Sequence, residues 1–322
     1  MPGGPARARA RIPEFFIVGH QKSGTTALYE MLRRHPQIYM PQTKEPRYFA
    51  SDLRKNPRSR PALDTFAGYL SLFNEARPDQ RVGEASPVYL LSHTAAANIA
   101  EVRPDARLIA ILREPASFLR SYHLQCVQSR VETERDLRRA MALEAQRREG
   151  RSMPANAAWA RELLYSEHVR YVEQLRRLDA VFPRRQLLVL IYDDYRADNE
   201  ATVRRVLRFL DVDETARIEP VDANPTVRVR RPRLHALLHA LSVGRGPGAR
   251  SLKRSLRRLT PSGPRSRALA MARQHVVYSE PPPADHDLML ELRRRFEPEV
   301  LALSEYLGRD LTSLWGYDRL DR

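Results

Sequence analysis

Residues Phe15 to Leu28 constrain the fold of this chain more than any other stretch. Phe15-Phe16-Ile17-Val18 is a short apolar run of the kind found in buried strands, Gly19 to Gly24 is a small polar turn, and Thr25-Thr26-Ala27-Leu28 opens a helical pattern. A strand that turns directly into a helix presents backbone N–H groups at the positive end of the helix macrodipole, which favours a phosphate or similar anion. Further strand signals fall at Arg81 to Glu84, Arg107 to Leu112 and Gln186 to Tyr192, and their continuous apolar runs suit a sheet buried on both faces. Helical patterns follow at Thr25 to Arg34, Ser117 to Ser129, Ala157 to Leu178, Glu200 to Leu210 and Asp285 to Leu307. This alternation predicts an α/β fold with a central parallel sheet flanked by helices, and places ligands beyond the carboxyl ends of the strands, beside Lys22.

Gly19 and Gly24 are separated by four residues, as in a nucleotide-triphosphate loop, but the lysine is in the wrong place. A Walker A loop needs Gly-Lys-Ser/Thr, whereas here Gly24 precedes Thr25 and Lys22 comes two residues earlier. The Lys22-Ser23-Gly24-Thr25-Thr26 form resembles the loop of sulfotransferases that use 3'-phosphoadenosine 5'-phosphosulfate (PAPS). The resemblance implies a P-loop-like three-layer sandwich, with Gln21, Lys22, Ser23, Gly24, Thr25 and Thr26 around the 5'-phosphosulfate.

With 322 residues and 42% hydrophobic content, the chain can bury one large core. The expected layout is an N-terminal arm over 1–12 and a single domain over 13–322. The only cysteine, Cys126, excludes an internal disulfide and suits a reducing compartment, so a cytoplasmic location is expected. The apolar run after the basic N-terminus is too short for a signal-peptide core, and no stretch approaches about 18 apolar residues. Only four of the 55 basic residues are lysine, and two of them, Lys22 and Lys44, fall inside motifs.

The net charge of +16 is concentrated: Ala223 to Arg273 holds 13 Arg/Lys and no acidic residue. Glycines and prolines at 244–248 and 261–264 predict short helices between loops, a basic excursion over about 223–280, with the prolines at 281–283 as a spacer. Three readings stand side by side: a solvated face, a flap over a multiply anionic cofactor, or a nucleic-acid surface. Nucleic acid is the weakest, because no aromatic–basic interleaving or zinc-finger spacing is present.

A second anion anchor is Arg113, at the end of the strand Leu108 to Leu112, with Ser121 eight residues on. A strand-end arginine can grip a phosphate bidentately, and a hydroxyl two helical turns later adds a donor. This resembles the family's 3'-phosphate site, with Glu114 for the commoner Asp/Asn and Phe118 where many members have another arginine. Leu187 to Tyr195 with Arg208 to Val212 resembles a further family segment, mostly packing positions. So do Asn224-Pro225 with Arg230 and Arg231, which the resemblance adds to the cofactor contacts, and the tail from Phe296 to Trp315, typical of bacterial members.

Sulfuryl transfer to a hydroxyl needs a base, charge stabilisation on the leaving phosphate, and alignment. In Thr43-Lys44-Glu45-Pro46-Arg47-Tyr48-Phe49, Glu45 takes the position of the base in the glycan sulfotransferases that this segment resembles. Lys44 and Arg47 favour its charged form and weaken it as a base unless burial opposes them. His123 competes, because imidazole suits neutral pH, and Glu84 is a third candidate. Lys22 is expected to neutralise the leaving oxygen, and no metal is needed. The resemblance implies PAPS as co-substrate and a hydroxyl-bearing glycan or small-molecule acceptor. The alternatives are an Mg²⁺-dependent P-loop kinase, with Asp193 imitating a Walker B carboxylate, and a nucleic-acid or anionic-surface binder acting through 223–273.

Overall fold

The computed structural model describes residues 11–53, 63–219, 221, 228–229, 278–279, 281 and 283–320. Five strands, β1 (Phe15–Gly19), β2 (Ile38–Tyr39), β3 (Arg81–Ala85), β4 (Arg107–Leu112) and β5 (Leu187–Ile191), form one parallel sheet in the order β2-β3-β1-β4-β5. Alternate side chains leave the sheet on opposite faces, and the core divides accordingly. Phe16, Val18, Val82, Leu108, Ala110 and Leu112 join one apolar cluster, while Phe15, Ile17, Ile109, Ile111, Leu188 and Leu190 join the other. Each cluster is roofed by helices, which gives three layers.

The longer helices are α1 (Thr25–Arg33), α2 (Ala95–Val102), α3 (Pro115–Gln128), α4 (Tyr171–Asp179), α5 (Asn199–Phe209) and α6 (His286–Leu307). Residues of α1 and α5 pack in the cluster containing Phe15, and residues of α2, α3, α4 and α6 in the other. Proline at the first position of α3 and the Glu114 carboxylate, which accepts from the amides of Ala116 and Ser117, set where that helix begins. Gly83 is required at its place in β3, because a Cβ there would lie 2.0 Å from the Phe15 ring it faces across the ladder.

The four anticipated strands and the helices beginning near Thr25, Pro115, Asn199 and His286 are present within a few residues of their expected bounds. Ala157 to Leu178 is not one helix. It breaks into a 3-10 turn at Ala160–Leu163, a short helix at Tyr165–His168 and α4, with non-helical backbone at Leu164 and Arg170. The breaks let two tyrosines reach different partners: the Tyr165 hydroxyl donates to Glu132, and that of Tyr171 donates to the Arg113 carbonyl. Strand β2 was not anticipated, because two residues leave no periodic signal.

Among the described residues no helix is long and apolar enough to cross a membrane. The N-terminal arm up to residue 10, most of the basic excursion, and Arg230 and Arg231 lie outside the described residues. The described pair Arg228–Val229 and Tyr278–Ser279 forms a small antiparallel ladder, and Arg228–Val229 lies against α3.

Candidate active site

Three neighbouring strand ends carry the candidate groups: the Glu45 loop is fastened to the end of β3, Lys22 follows β1, and Arg113 follows β4. Adjacent strands are about 4.8 Å apart, so these groups line one sheet edge over roughly two strand spacings.

The turn after β1 is built closely against its surroundings. Gly24 caps α1 with φ +85° and, having no side chain, makes no cap hydrogen bond of its own to the first amides of the helix. A Cβ on Gly24 would lie 2.6 Å from the Tyr195 ring. Ser23 and Thr25 are buried, Thr26 and Gln21 are half-buried, and the Ser23 hydroxyl donates to the Gln21 carbonyl at 3.3 Å. His20 is buried, with Nε2 donating to Gln174 Oε1 at 2.9 Å, and burial drives its pKa down to about 4. A neutral histidine therefore ties the turn to α4.

Arg113 and Lys22 converge. Arg113 Nη1 donates to the Lys22 carbonyl at 3.0 Å, and the guanidinium lies 4.8 Å over the Tyr192 ring. Burial, with the Arg113 charge adding to it, lowers the Lys22 pKa to about 8. Neither cation has a carboxylate within salt-bridge distance among the described residues. Arg120, one residue before Ser121, adds a third cation: burial and the Arg113 charge both lower its pKa. Ser121 is buried two turns into α3. Holding the Lys22 and Arg113 cations close together in a desolvated site is electrostatically costly, and an anion would relieve that cost.

The floor under Arg113 is fixed by the C-terminal tail. Asp193 accepts from the Trp315 indole at 2.9 Å, Arg309 pairs with Asp194, and the Tyr317 hydroxyl donates to Glu114 at 2.7 Å. The Glu114 variation thus carries both a helix cap and a tail anchor. Asp193 is committed to an indole, which removes the feature that imitated a Walker B carboxylate.

Glu45 is reached from two sides, by Lys44 Nζ on Oε1 at 3.1 Å and by Arg47 Nη2 on Oε2 at 2.6 Å. Burial pushes its carboxyl up, but the two cations outweigh burial and hold it below the usual carboxylate range. Its loop is anchored to β3: Glu45 N donates to the Ala85 carbonyl and Arg47 N to Ser86 Oγ, both at 3.0 Å. Glu84 is fully buried behind this loop, accepting from Tyr69 at 2.8 Å and Tyr89 at 2.9 Å. Burial pushes its carboxyl up to about 7.

His123 is elsewhere. It is buried against the Tyr165 ring, with Nε2 donating to the Glu134 carbonyl at 2.9 Å, and burial lowers its pKa.

A family model described as "Sulfotransferase domain" matches residues 13–227. The chain belongs to the sulfotransferase family. Among curated relatives of this sulfotransferase, membrane-associated sulfotransferase kil1 of Dictyostelium discoideum is 31% identical over 35% of this chain and 23% of its own length. Heparan sulfate glucosamine 3-O-sulfotransferase 3B1 of Mus musculus is 26% identical over 62% of this chain and 46% of its own. Each match spans less than half of the relative. In fold, the sulfotransferase resembles a crystal structure of a sulfotransferase from Alicyclobacillus acidocaldarius, with TM-score 0.65 and 23% identity, covering 94% of this chain and 98% of that one.

Sequence reasoning passed over Arg120, the Tyr192 platform and the Tyr195 packing against Gly24. Arg120 had a readable signal, since it lies in the helix that follows the Arg113 strand end, directly before Ser121. The two tyrosines had none, because only the sheet order brings the end of β5 beside the Lys22 turn.

Proposed function

We propose that the protein transfers a sulfuryl group from PAPS to a hydroxyl of a carbohydrate or small-molecule acceptor. The observation that carries the reading is the convergence of Lys22 and Arg113, two cations from different strand ends with a direct hydrogen bond between their residues. The donor set fits a bisphosphorylated nucleotide: a glycine-capped helix start with Thr25 and Thr26 for the 5'-phosphate, and Arg113, Arg120 and Ser121 for the 3'-phosphate. The acceptor class is drawn from relatives named for heparan sulfate glucosamine and carbohydrate sulfation.

When bound, PAPS supplies the sulfuryl group, whose bond to the 5'-phosphate oxygen breaks as one to the acceptor oxygen forms. Lys22 neutralises charge on the leaving oxygen. Glu45 takes the acceptor's proton; it is ionised at neutral pH and stands at the strand end beside that of Lys22. Arg113 and Arg120 hold the nucleotide and keep the donor aligned. We assign the base to Glu45 rather than to His123, whose ring nitrogen is engaged by the Glu134 carbonyl.

The test is Arg113→Ala, assayed by calorimetry with 3'-phosphoadenosine 5'-phosphate and with adenosine 5'-phosphosulfate, alongside transfer of labelled sulfate to a panel of hydroxylated glycans and metabolites. The variant is expected to lose far more affinity for the bisphosphorylated nucleotide than for the monophosphorylated one, by about 1.5–3 kcal/mol for a lost charged hydrogen bond. Equal losses for both ligands would refute the 3'-phosphate assignment.

A further inference from the structure

Glu84 is a carboxylate that the scheme above does not use, yet the Glu45 loop is built around it. Two backbone amides of that loop end on hydroxyls facing Glu84: Arg47 N donates to Ser86 Oγ at 3.0 Å, and Phe49 N to the Tyr89 oxygen at 3.3 Å. Tyr89 in turn donates to Glu84 Oε2, as does Tyr69, whose ring stacks on that of Tyr48 at 4.7 Å. Ser86 Oγ accepts from Arg47 N, and its hydroxyl is close enough to Glu84 to lower the Glu84 pKa. Among the described residues, Glu84 Oε1 is buried with no hydrogen-bond partner. The loop it faces needs holding, because Glu45 and Arg47 both have left-handed φ, 57° and 60°.

We propose that Glu84 is a positioning residue: as a carboxylate it orients the Ser86 and Tyr89 hydroxyls, and through them holds the strained loop that aims Glu45. This rests on the assignment of Glu45 as the base. A neutral carboxyl brings its own O–H and competes with the hydroxyls that should donate to it, so protonation of Glu84 loosens the two amide tethers.

Four groups face Glu84: Tyr69 from the short helix at 66–70, Ser86 and Tyr89 just beyond β3, and Glu45 from the loop. Burial is the largest influence on Glu84 and raises it to about 7, with the Glu45 charge adding to the rise and the three hydroxyls opposing it. The carboxylate form is therefore present above pH 7 and lost below it. The influence is mutual: an ionised Glu84 strengthens Glu45 as a base against the pull of Lys44 and Arg47.

The experiment is a pH profile of kcat for the wild type, Glu84→Gln and Ser86→Ala, with KM for the donor measured in parallel. The wild type is expected to lose turnover on the acid side with a midpoint near 7. Glu84→Gln, a permanent mimic of the protonated form, should show kcat lowered roughly ten- to hundredfold at pH 8, no acid limb, and donor KM nearly unchanged. Ser86→Ala should lower kcat while keeping the acid limb. Wild-type kcat and pH dependence in Glu84→Gln overturn the proposal.

Where Glu84→Gln fails to fold by circular dichroism, Tyr89→Phe replaces it; unchanged kcat there overturns the proposal equally. A readout independent of turnover is the carbon-13 titration of the Glu84 carboxyl. It is expected near 7 in the wild type and lower in Glu45→Gln, where the neighbouring charge is gone. A midpoint near 4.5 sinks the proposal even in an active enzyme. A midpoint near 7 that falls in Glu45→Gln, with no sulfuryl transfer and no nucleotide binding by the wild type, sinks the assigned activity and leaves the hub intact.

Discussion

Nucleotide binding should take up a proton through Lys22, and this gives the sharpest test of the anion site. Burial and Arg113 bring Lys22 from 10.5 to about 8, a cost of charging of ~3 kcal/mol. A phosphate beside Lys22 favours the charged form and returns its pKa toward or above the ordinary value. Affinity is therefore fully developed below pH 8 and declines as pH rises from there toward the pKa in the complex. In the free protein about nine in ten Lys22 side chains are protonated at pH 7 and about one in ten at pH 9. The Kd for 3'-phosphoadenosine 5'-phosphate should then rise about tenfold between pH 7 and 9, with proton uptake growing from ~0.1 to ~0.9 per site. The ligand's phosphates have a second pKa of about 6 and stay ionised throughout. Calorimetry at each pH in two buffers of different ionisation enthalpy measures the uptake directly. Lys22→Met should abolish the pH slope, and Arg113→Ala should move its midpoint upward by removing the neighbouring charge. Negligible uptake by the wild type at pH 9, or the same slope in Lys22→Met, would refute the argument.

Glu45→Gln should lower kcat by roughly 10²- to 10⁴-fold with nucleotide affinity nearly unchanged; full turnover in a labelled-sulfate assay would remove Glu45 from the mechanism. Gly24→Ala forces a Cβ to 2.6 Å from the Tyr195 ring at φ +85°, and should cost ~1–3 kcal/mol, seen as a lower melting temperature together with weaker nucleotide binding. An unchanged melt would show that the turn and Tyr195 can separate.

How far the sequence revealed this site depended on whether a residue's partner was local. The Lys22 turn was legible because strand, glycine, threonines and helix are contiguous, and Arg113 because it closes an apolar strand. The Glu45 loop could be read as a carboxylate between two cations, and Lys44 and Arg47 do reach it. What sequence could not supply was the balance, since burial acts against those cations and only the fold decides that the cations win. Glu84 was legible as an acid at a strand end and no further. Its character comes from Tyr69, fifteen residues earlier in the chain, and from the Glu45 loop that folds onto the end of β3. The single helix anticipated over Ala157 to Leu178 failed for the same reason: the periodicity is there, but Tyr165 and Tyr171 have distant partners that a continuous helix would deny them.

The three residues at the centre of the proposed chemistry share one backbone feature that links fold to function. Lys22, Glu45 and Arg47 all have left-handed φ, near 60°, although none is glycine. Each such residue costs about 1–3 kcal/mol and persists only when its surroundings over-determine it. The surroundings here are strand ends: the Lys22 carbonyl is held by Arg113 beyond β4, the Glu45 amide by Ala85 at the end of β3, and the Arg47 amide by Ser86 beyond it. The parallel sheet is buried on both faces, so ties to its strand ends fix the two loops relative to each other as well as to the core. The cation that would meet the leaving oxygen and the carboxylate that would take the proton are then aligned before any ligand arrives. That order of events is what transition-state stabilisation by fixed charges requires, because charges that had to be reorganised during the reaction would return the energy they supply.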